Sequence, residues 1–166
     1  MIHSLPESIR LIASGLAIGL GGIGPSIGLA LFAQQACQSV GINPHAYAQL
    51  FSFTLISQTV IETPIIFSFV VSLALLFVGS IPGSDAMAFL QALIYIAAAL
   101  SIGLGTYGVG ISSGKTAATA CHQIALRPDM YDVISRVSLL AQGLIETGVI
   151  YAILISFILI FLRLTP

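Results

Sequence analysis

Four long apolar runs, separated by three short polar segments, dominate the pattern of this chain. The runs extend from about Leu11 to Val40, Tyr47 to Gly79, Met87 to Ala125 and Met130 to Leu164. The breaks are GINPHA (41–46), SIPGSDA (80–86) and LRPD (126–129), each holding a proline. A transmembrane helix needs roughly 20 apolar residues. All four runs exceed that, and at about 1.5 Å per residue they project beyond the hydrocarbon. Barrel strands are short and alternate apolar with polar positions, so a β-barrel does not fit. The pattern predicts an all-α membrane protein with four transmembrane helices. They form two tandem helical hairpins, 1–82 and 83–166, with the Pro82-Gly83 turn signal in the link.

Composition strengthens this reading. The chain is 57% hydrophobic and 7% charged, against about a quarter charged in soluble domains, and its mean hydropathy is +1.07. So few charges cannot cover the surface of a soluble fold. A net charge of −1 and the lack of a basic patch give no reason to expect nucleic acid as a partner. Cys37 and Cys121 lie in apolar helical context and are expected as packed thiols, not a disulfide. His3, His45 and His122 lack metal-ligand spacing, and Asp85, Asp129 and Asp132 sit in loops or at helix starts, where acids are favoured. MIHSLPESIR is a short polar head, after which the first apolar run serves as its own insertion signal. Lys115, Arg127 and Arg136 lie toward the two short proline loops, and Arg10 and Arg163 toward the termini. This bias puts the proline loops in the cytoplasm.

The chain is also a duplication. Subtracting 84 from a position in the second half returns the first half without a gap. LAIGLG (16–21) answers LSIGLG (100–105), Cys37 answers Cys121, Pro44 answers Pro128, and Tyr47 answers Tyr131. Gln58 answers Gln142, IET at 61–63 answers IET at 145–147, and Phe77 answers Phe161. Each half is a glycine-rich helix, a proline loop and a helix with a glutamate. Two helices per half make this a parallel repeat, both halves entering the membrane in the same direction.

The two glutamates carry the chemistry. Glu62 lies 18 residues past Pro44, and Glu146 the same number past Pro128. That is roughly 27 Å of helix, part of it outside lipid, so each carboxyl falls near mid-bilayer. A charged carboxylate there costs several kcal/mol, and the protonated acid far less. Such a group keeps a proton or cation while it faces lipid and releases it where water or a positive partner stabilises the anion. Gln58 and Gln142 lie four residues earlier on the same helical face, Thr63 and Thr147 follow directly, and Tyr151 stands where the first half has Phe67. These side chains would bind the ion with the glutamates, or simply hold helices together. Pro64 removes a backbone donor just past Glu62 and is expected to bend its helix; Gly148 stands at the matching place.

GLGGIG (19–24) and GLGTYG (103–108) fit a dinucleotide fingerprint, but they lie inside apolar spans without the required strand. GISSGKT (110–116) is one residue too short between its glycines for a phosphate loop. Gly15/Gly19, Gly24/Gly28 and Gly110/Gly114 are spaced by four, which suits close helix packing. Glycine-rich first and third helices fit a crowded axis. Two equivalent hairpins per chain can close head-to-tail into a ring of identical copies.

With GIGPSIG (22–28), Pro44 and IETP (61–64) in one half, and GVGISSG (108–114), Arg127-Pro128 and IETG (145–148) in the other, the chain resembles the proteolipid (the c-type rotor protein) of rotary ATP synthases and ATPases. The resemblance spans nearly the whole chain. It implies a homo-oligomeric ring in the bilayer, turning against a stator subunit whose membrane arginine attracts each deprotonated glutamate. It also implies central-stalk contact at the loops through Asn43, Pro44, Arg127 and Pro128. The family's Arg-Gln-Pro loop signature is degraded here to Ile42-Asn43-Pro44 and Leu126-Arg127-Pro128, which weakens the case for stalk contact by the first loop. Many duplicated vacuolar-type proteolipids keep one acid; two acids here favour an ATP synthase over a dedicated pump. Sodium-binding relatives share the hydroxyl after the glutamate but have a glutamine on the first helix where this chain has Leu29 and Ser113. Protons are therefore favoured, with Na+ at Glu62 and Glu146 as the alternative in a V/A-type ring. A small carboxylate-based antiporter and an uncoupled ring or pore are the remaining competitors. No nucleophile–base set is present, so neither an active site within the chain nor a bound cofactor is expected. The setting is a multi-pass membrane protein of a prokaryotic plasma membrane.

Overall fold

A computed structural model describes residues 5–79 and 85–162. Four helices are present: α1 (Leu5–Ile42), α2 (Tyr47–Phe77), α3 (Asp85–Leu126) and α4 (Tyr131–Leu162). All four are long and apolar enough to cross a membrane, with mean hydropathies of 1.8, 2.2, 2.0 and 2.4. α1 starts earlier than the apolar run at Leu11, because the polar stretch before it is itself helical, with Glu7 in the first turn, where acids favour the helix dipole. The Pro82-Gly83 turn, and the last residues of the fourth expected span, lie outside the described residues.

The two proline loops have the same structure. Each is one 3₁₀ turn, Pro44–Ala46 and Pro128–Met130, entered through Asn43 (φ −140, ψ 87) and Arg127 (φ −137, ψ 72). A residue before proline is pushed out of the helical region by the proline ring, which ends α1 and α3. Proline, with its fixed φ and missing donor, then starts the next turn. Ala46 N–H closes onto Asn43 O at 3.1 Å and Met130 N–H onto Arg127 O at 3.0 Å.

Packing divides the chain into two compact units, each holding a segment of every helix. The first comprises the chain up to Ile23, Ile65–Tyr107 and the part from Gly148 on. Its helices are bracketed by serines. Ser14 Oγ donates to Ser72 O at 3.0 Å, and Ser72 Oγ donates to Ser14 O at 2.9 Å. At the repeat-equivalent place, Ser156 Oγ donates to Ala98 O, also at 2.9 Å. Buried hydroxyls of this kind hold helices together where apolar surface gives no advantage over lipid. Arg10 donates to Val78 O at the end of α2.

The second unit comprises Gly24–Pro64 and Gly108–Thr147. Here α1 and α3 meet backbone to backbone. A Cβ on Gly28 would strike the carbonyl of Gly110, one on Gly110 would strike Gly24 and Pro25, and one on Gly114 would strike Gly28. Only glycine permits that approach. Around it lies an apolar core including Phe32, Leu50, Phe53, Ile61, Cys121 and Ile124, in which Phe32 and Phe53 meet edge to face at 6.3 Å. Asn43 Nδ2 donates to Ala125 O at 3.0 Å, and Gln49 Nε2 to Pro128 O at 3.3 Å. These two bonds tie the first loop to the end of α3 and the start of α2 to the second loop. Of the glycines expected at close contacts, Gly15 and Gly19 have open space where a Cβ would stand.

Candidate ion site

Both glutamates fall in the second unit, at matching positions on α2 and α4. α2 continues as helix through Pro64. Glu62 is exposed. Gln58, one turn earlier and also exposed, donates its Nε2 to Glu62 Oε1 at 3.3 Å. Glu146 is half-buried. Its Oε1 is buried and has no hydrogen-bond partner among the described residues. An orphaned polar atom is rare in a folded protein and calls for a ligand, a proton or a partner molecule.

The neighbouring polar groups are arranged differently from the sequence expectation. Thr63 Oγ1 donates to Thr59 O at 3.1 Å and Thr147 Oγ1 to Leu144 O at 2.8 Å. Both hydroxyls are spent on their own helices. Tyr151 is exposed and belongs to the other packing unit. Gln142 is fully buried and does not pair with Glu146 in the way Gln58 pairs with Glu62. Its Oε1 accepts from Ser113 Oγ at 3.4 Å, and its Nε2 donates to Ser138 Oγ at 3.1 Å and Ser57 Oγ at 3.5 Å. The same amide, placed by the same repeat, thus pairs with the acid in one half and joins α2, α3 and α4 in the other.

The reason lies 84 residues away from each serine. Ser113 answers Leu29, Ser57 answers Ala141, and Ser138 answers Thr54. Leucine and alanine offer no hydroxyl. Thr54 directs its own to Leu50 O at 2.7 Å. Gln58 therefore lacks the bracket that holds Gln142 and turns to the carboxylate. Ser57 and Ser138 do not stand out in the sequence as site residues; the signal that finds them is a position-by-position alignment of the two halves around the glutamines. Among the described residues no group of three or more His, Cys, Asp or Glu gathers to hold a metal.

Similarity to known proteins gives this arrangement its family. The family model of the ATP synthase C proteolipid matches the chain twice, over residues 12–75 and 96–159. The second match begins 84 residues after the first, at 96 against 12, the offset of the internal repeat. Among similar proteins, the c-type proteolipid of ATP synthase from Dehalococcoides mccartyi is 41% identical over 72 residues, 43% of this chain and 95% of the relative. That of Prochlorococcus marinus is 36% identical over 76 residues, 46% of this chain and 94% of the relative. One from Mesomycoplasma hyopneumoniae is 39% identical over 72 residues, 43% of this chain and 70% of the relative. Each alignment takes in less than half of the present chain while covering most of the relative, as expected of a duplication. The chain therefore belongs to the family of ATP synthase C proteolipids, as a rotor-ring protein that holds two of the family's helical hairpins in one polypeptide.

Proposed function

We propose that this protein carries protons around the ring on Glu62 and Glu146, two per chain, and that their loading and release couples ion flow to rotation. The observation that carries this reading is the buried, unpartnered Oε1 of Glu146 in a helix built to cross lipid, together with its twin at the same repeat position. A carboxylate held in apolar surroundings is favoured neutral, so each site keeps its proton in lipid. A stator arginine supplies the positive field in which the proton leaves. The hairpins 1–82 and 83–166 are the two carrier units. Glu62 lies on an open face, which the next copy in the ring covers. The proline loops face the cytoplasm; Pro44, Arg127 and Pro128 meet the central stalk, with Asn43 tied back to α3.

Protons are favoured over sodium because a hard cation needs several converging oxygens. Thr63 and Thr147 direct their hydroxyls elsewhere, and Leu29 offers no oxygen. The backbone contact of α1 with α3 leaves no substrate cavity there for an antiporter. The decisive experiment reconstitutes the complete synthase in vesicles. Alanine at both 62 and 146 is expected to abolish ion-driven ATP synthesis; survival of the activity ends the carrier reading. Carbodiimide labelling of the two glutamates with and without sodium decides the ion, since protection by sodium overturns the choice of protons.

A further inference from the structure

We infer that the two glutamates of one chain are chemically unequal carriers. On this reading Gln58 is a specificity-determining residue of the Glu62 site, and Gln142 is a bracket that takes no part in the Glu146 site. The inference rests on the carrier reading above and deepens it.

The repeat supplies an internal control. Gln58 and Gln142 occupy the same register on α2 and α4, each four residues before a glutamate. Backbone geometry therefore gives both the same reach to their acids. Their side chains nevertheless take different partners. Gln58 donates to Glu62 at 3.3 Å. Both amide hydrogens of Gln142 go to Ser57 and Ser138, while its carbonyl accepts from Ser113. An amide nitrogen has two donors and no more, so Gln142 has none left for Glu146. All of these groups belong to one packing unit.

The chemical consequence follows from the donor. An amide N–H on a carboxylate oxygen stabilises the anion, and rotation of the same amide presents a carbonyl to the protonated acid or to a bound cation. Glu62 has such a bifunctional partner on its own helix. Glu146 has none, and must be satisfied by its ion alone. A chain of this kind places alternating, non-identical stations around the ring, where single-hairpin proteins place identical ones.

The test uses intact rings in native membranes, carbodiimide at one fixed pH, and mass spectrometry that resolves labelling at 62 from labelling at 146. Carbodiimide adds to the protonated carboxyl, so loss of an anion-stabilising donor speeds labelling. Gln58→Leu is expected to raise the rate at Glu62 relative to Glu146 by about tenfold, the scale of one hydrogen bond to a charged group. Gln142→Leu is expected to leave that ratio within about twofold while lowering the temperature at which the ring dissociates, since it removes a buried bracket. Leu29→Ser offers Gln58 the hydroxyl that Gln142 finds in Ser113, and is expected to move the ratio in the same direction as Gln58→Leu. A ratio unmoved by Gln58→Leu, or moved equally by Gln142→Leu, overturns the inference and leaves the carrier reading standing. Failure of both glutamates to react with carbodiimide sinks the carrier reading, and this one with it.

Discussion

At the scale of single residues, the decisive contrast is between an amide that is buried and one that is not. Gln142 is fully enclosed and makes three hydrogen bonds to buried serines. Gln142→Ala strands those hydroxyls, and the expected loss is about 1–2 kcal/mol, since polar bonds inside membranes are individually modest. Gln58 is exposed, with a single partner, so Gln58→Ala is expected to cost under about 0.5 kcal/mol. Thermal dissociation of the detergent-solubilised ring compares the two, and equal losses would contradict the bracket. Both glutamates are legible in the sequence, because an acid in an apolar run is conspicuous and its recurrence at a fixed offset more so. The glutamines are legible as neighbours of those acids. Their fates are not, because these depend on what faces them from other helices. That is decided by three substitutions between the halves, of which only the one at 29 and 113 draws attention in the sequence. The hydroxyls of Thr63 and Thr147 mislead for a similar reason: nearness in sequence to an acid does not aim a side chain at it when the helix's own carbonyl is closer.

At the scale of elements, the helices and loops are legible almost to the residue, because lipid leaves the backbone few alternatives. An apolar run in a bilayer must satisfy its own amides, and a proline with a constrained predecessor ends it. Which glycines pack is less legible. Gly28, Gly110 and Gly114 hold α1 against α3, whereas Gly15 and Gly19 meet nothing within the chain, although all five share the spacing by four. Spacing places glycines on one face but does not say what that face meets. Gly114→Val would drive a side chain into the backbone of Gly28, where no rotamer change relieves the clash. This substitution is expected to eliminate assembled rings from the membrane fraction. Gly143→Ala, with open space at its Cβ, is expected to assemble normally and to gain up to about 1 kcal/mol of helix propensity. Native gels of the two variants give the comparison. The loops make a smaller case of the same kind. Asn43 donates to Ala125 O, while the repeat puts Arg127 in its place. Asn43→Ala is expected to cost about 1 kcal/mol of thermal stability, and a variant as stable as the parent would mean the latch contributes nothing.

For the molecule as a whole, the duplication turns one observed contact into a statement about a contact between copies. Within a chain, Ser57 on α2 meets Gln142 on α4. Advancing both positions by one hairpin turns Ser57 into Ala141 and Gln142 into Gln58 of the next copy. If the ring is built by repeating a single hairpin-to-hairpin step, those two positions face each other across the junction between chains. The exposure of Gln58 and Glu62 in the isolated chain then belongs to a surface that assembly closes. Cysteines are expected to report this directly once Cys37 and Cys121 have been replaced. Side chains close enough to hydrogen-bond lie within the Cα separation a disulfide tolerates, about 4.4–6.8 Å. Ser57→Cys with Gln142→Cys is expected to oxidise within the chain and leave its size on a denaturing gel unchanged. Ala141→Cys with Gln58→Cys is expected to oxidise between chains and give a ladder of dimers, trimers and higher species that ends at the closed ring. A ladder from the first pair, or only monomer from the second, would mean that the step between chains differs from the step between hairpins. The open face around Glu62 would then need a different partner to cover it.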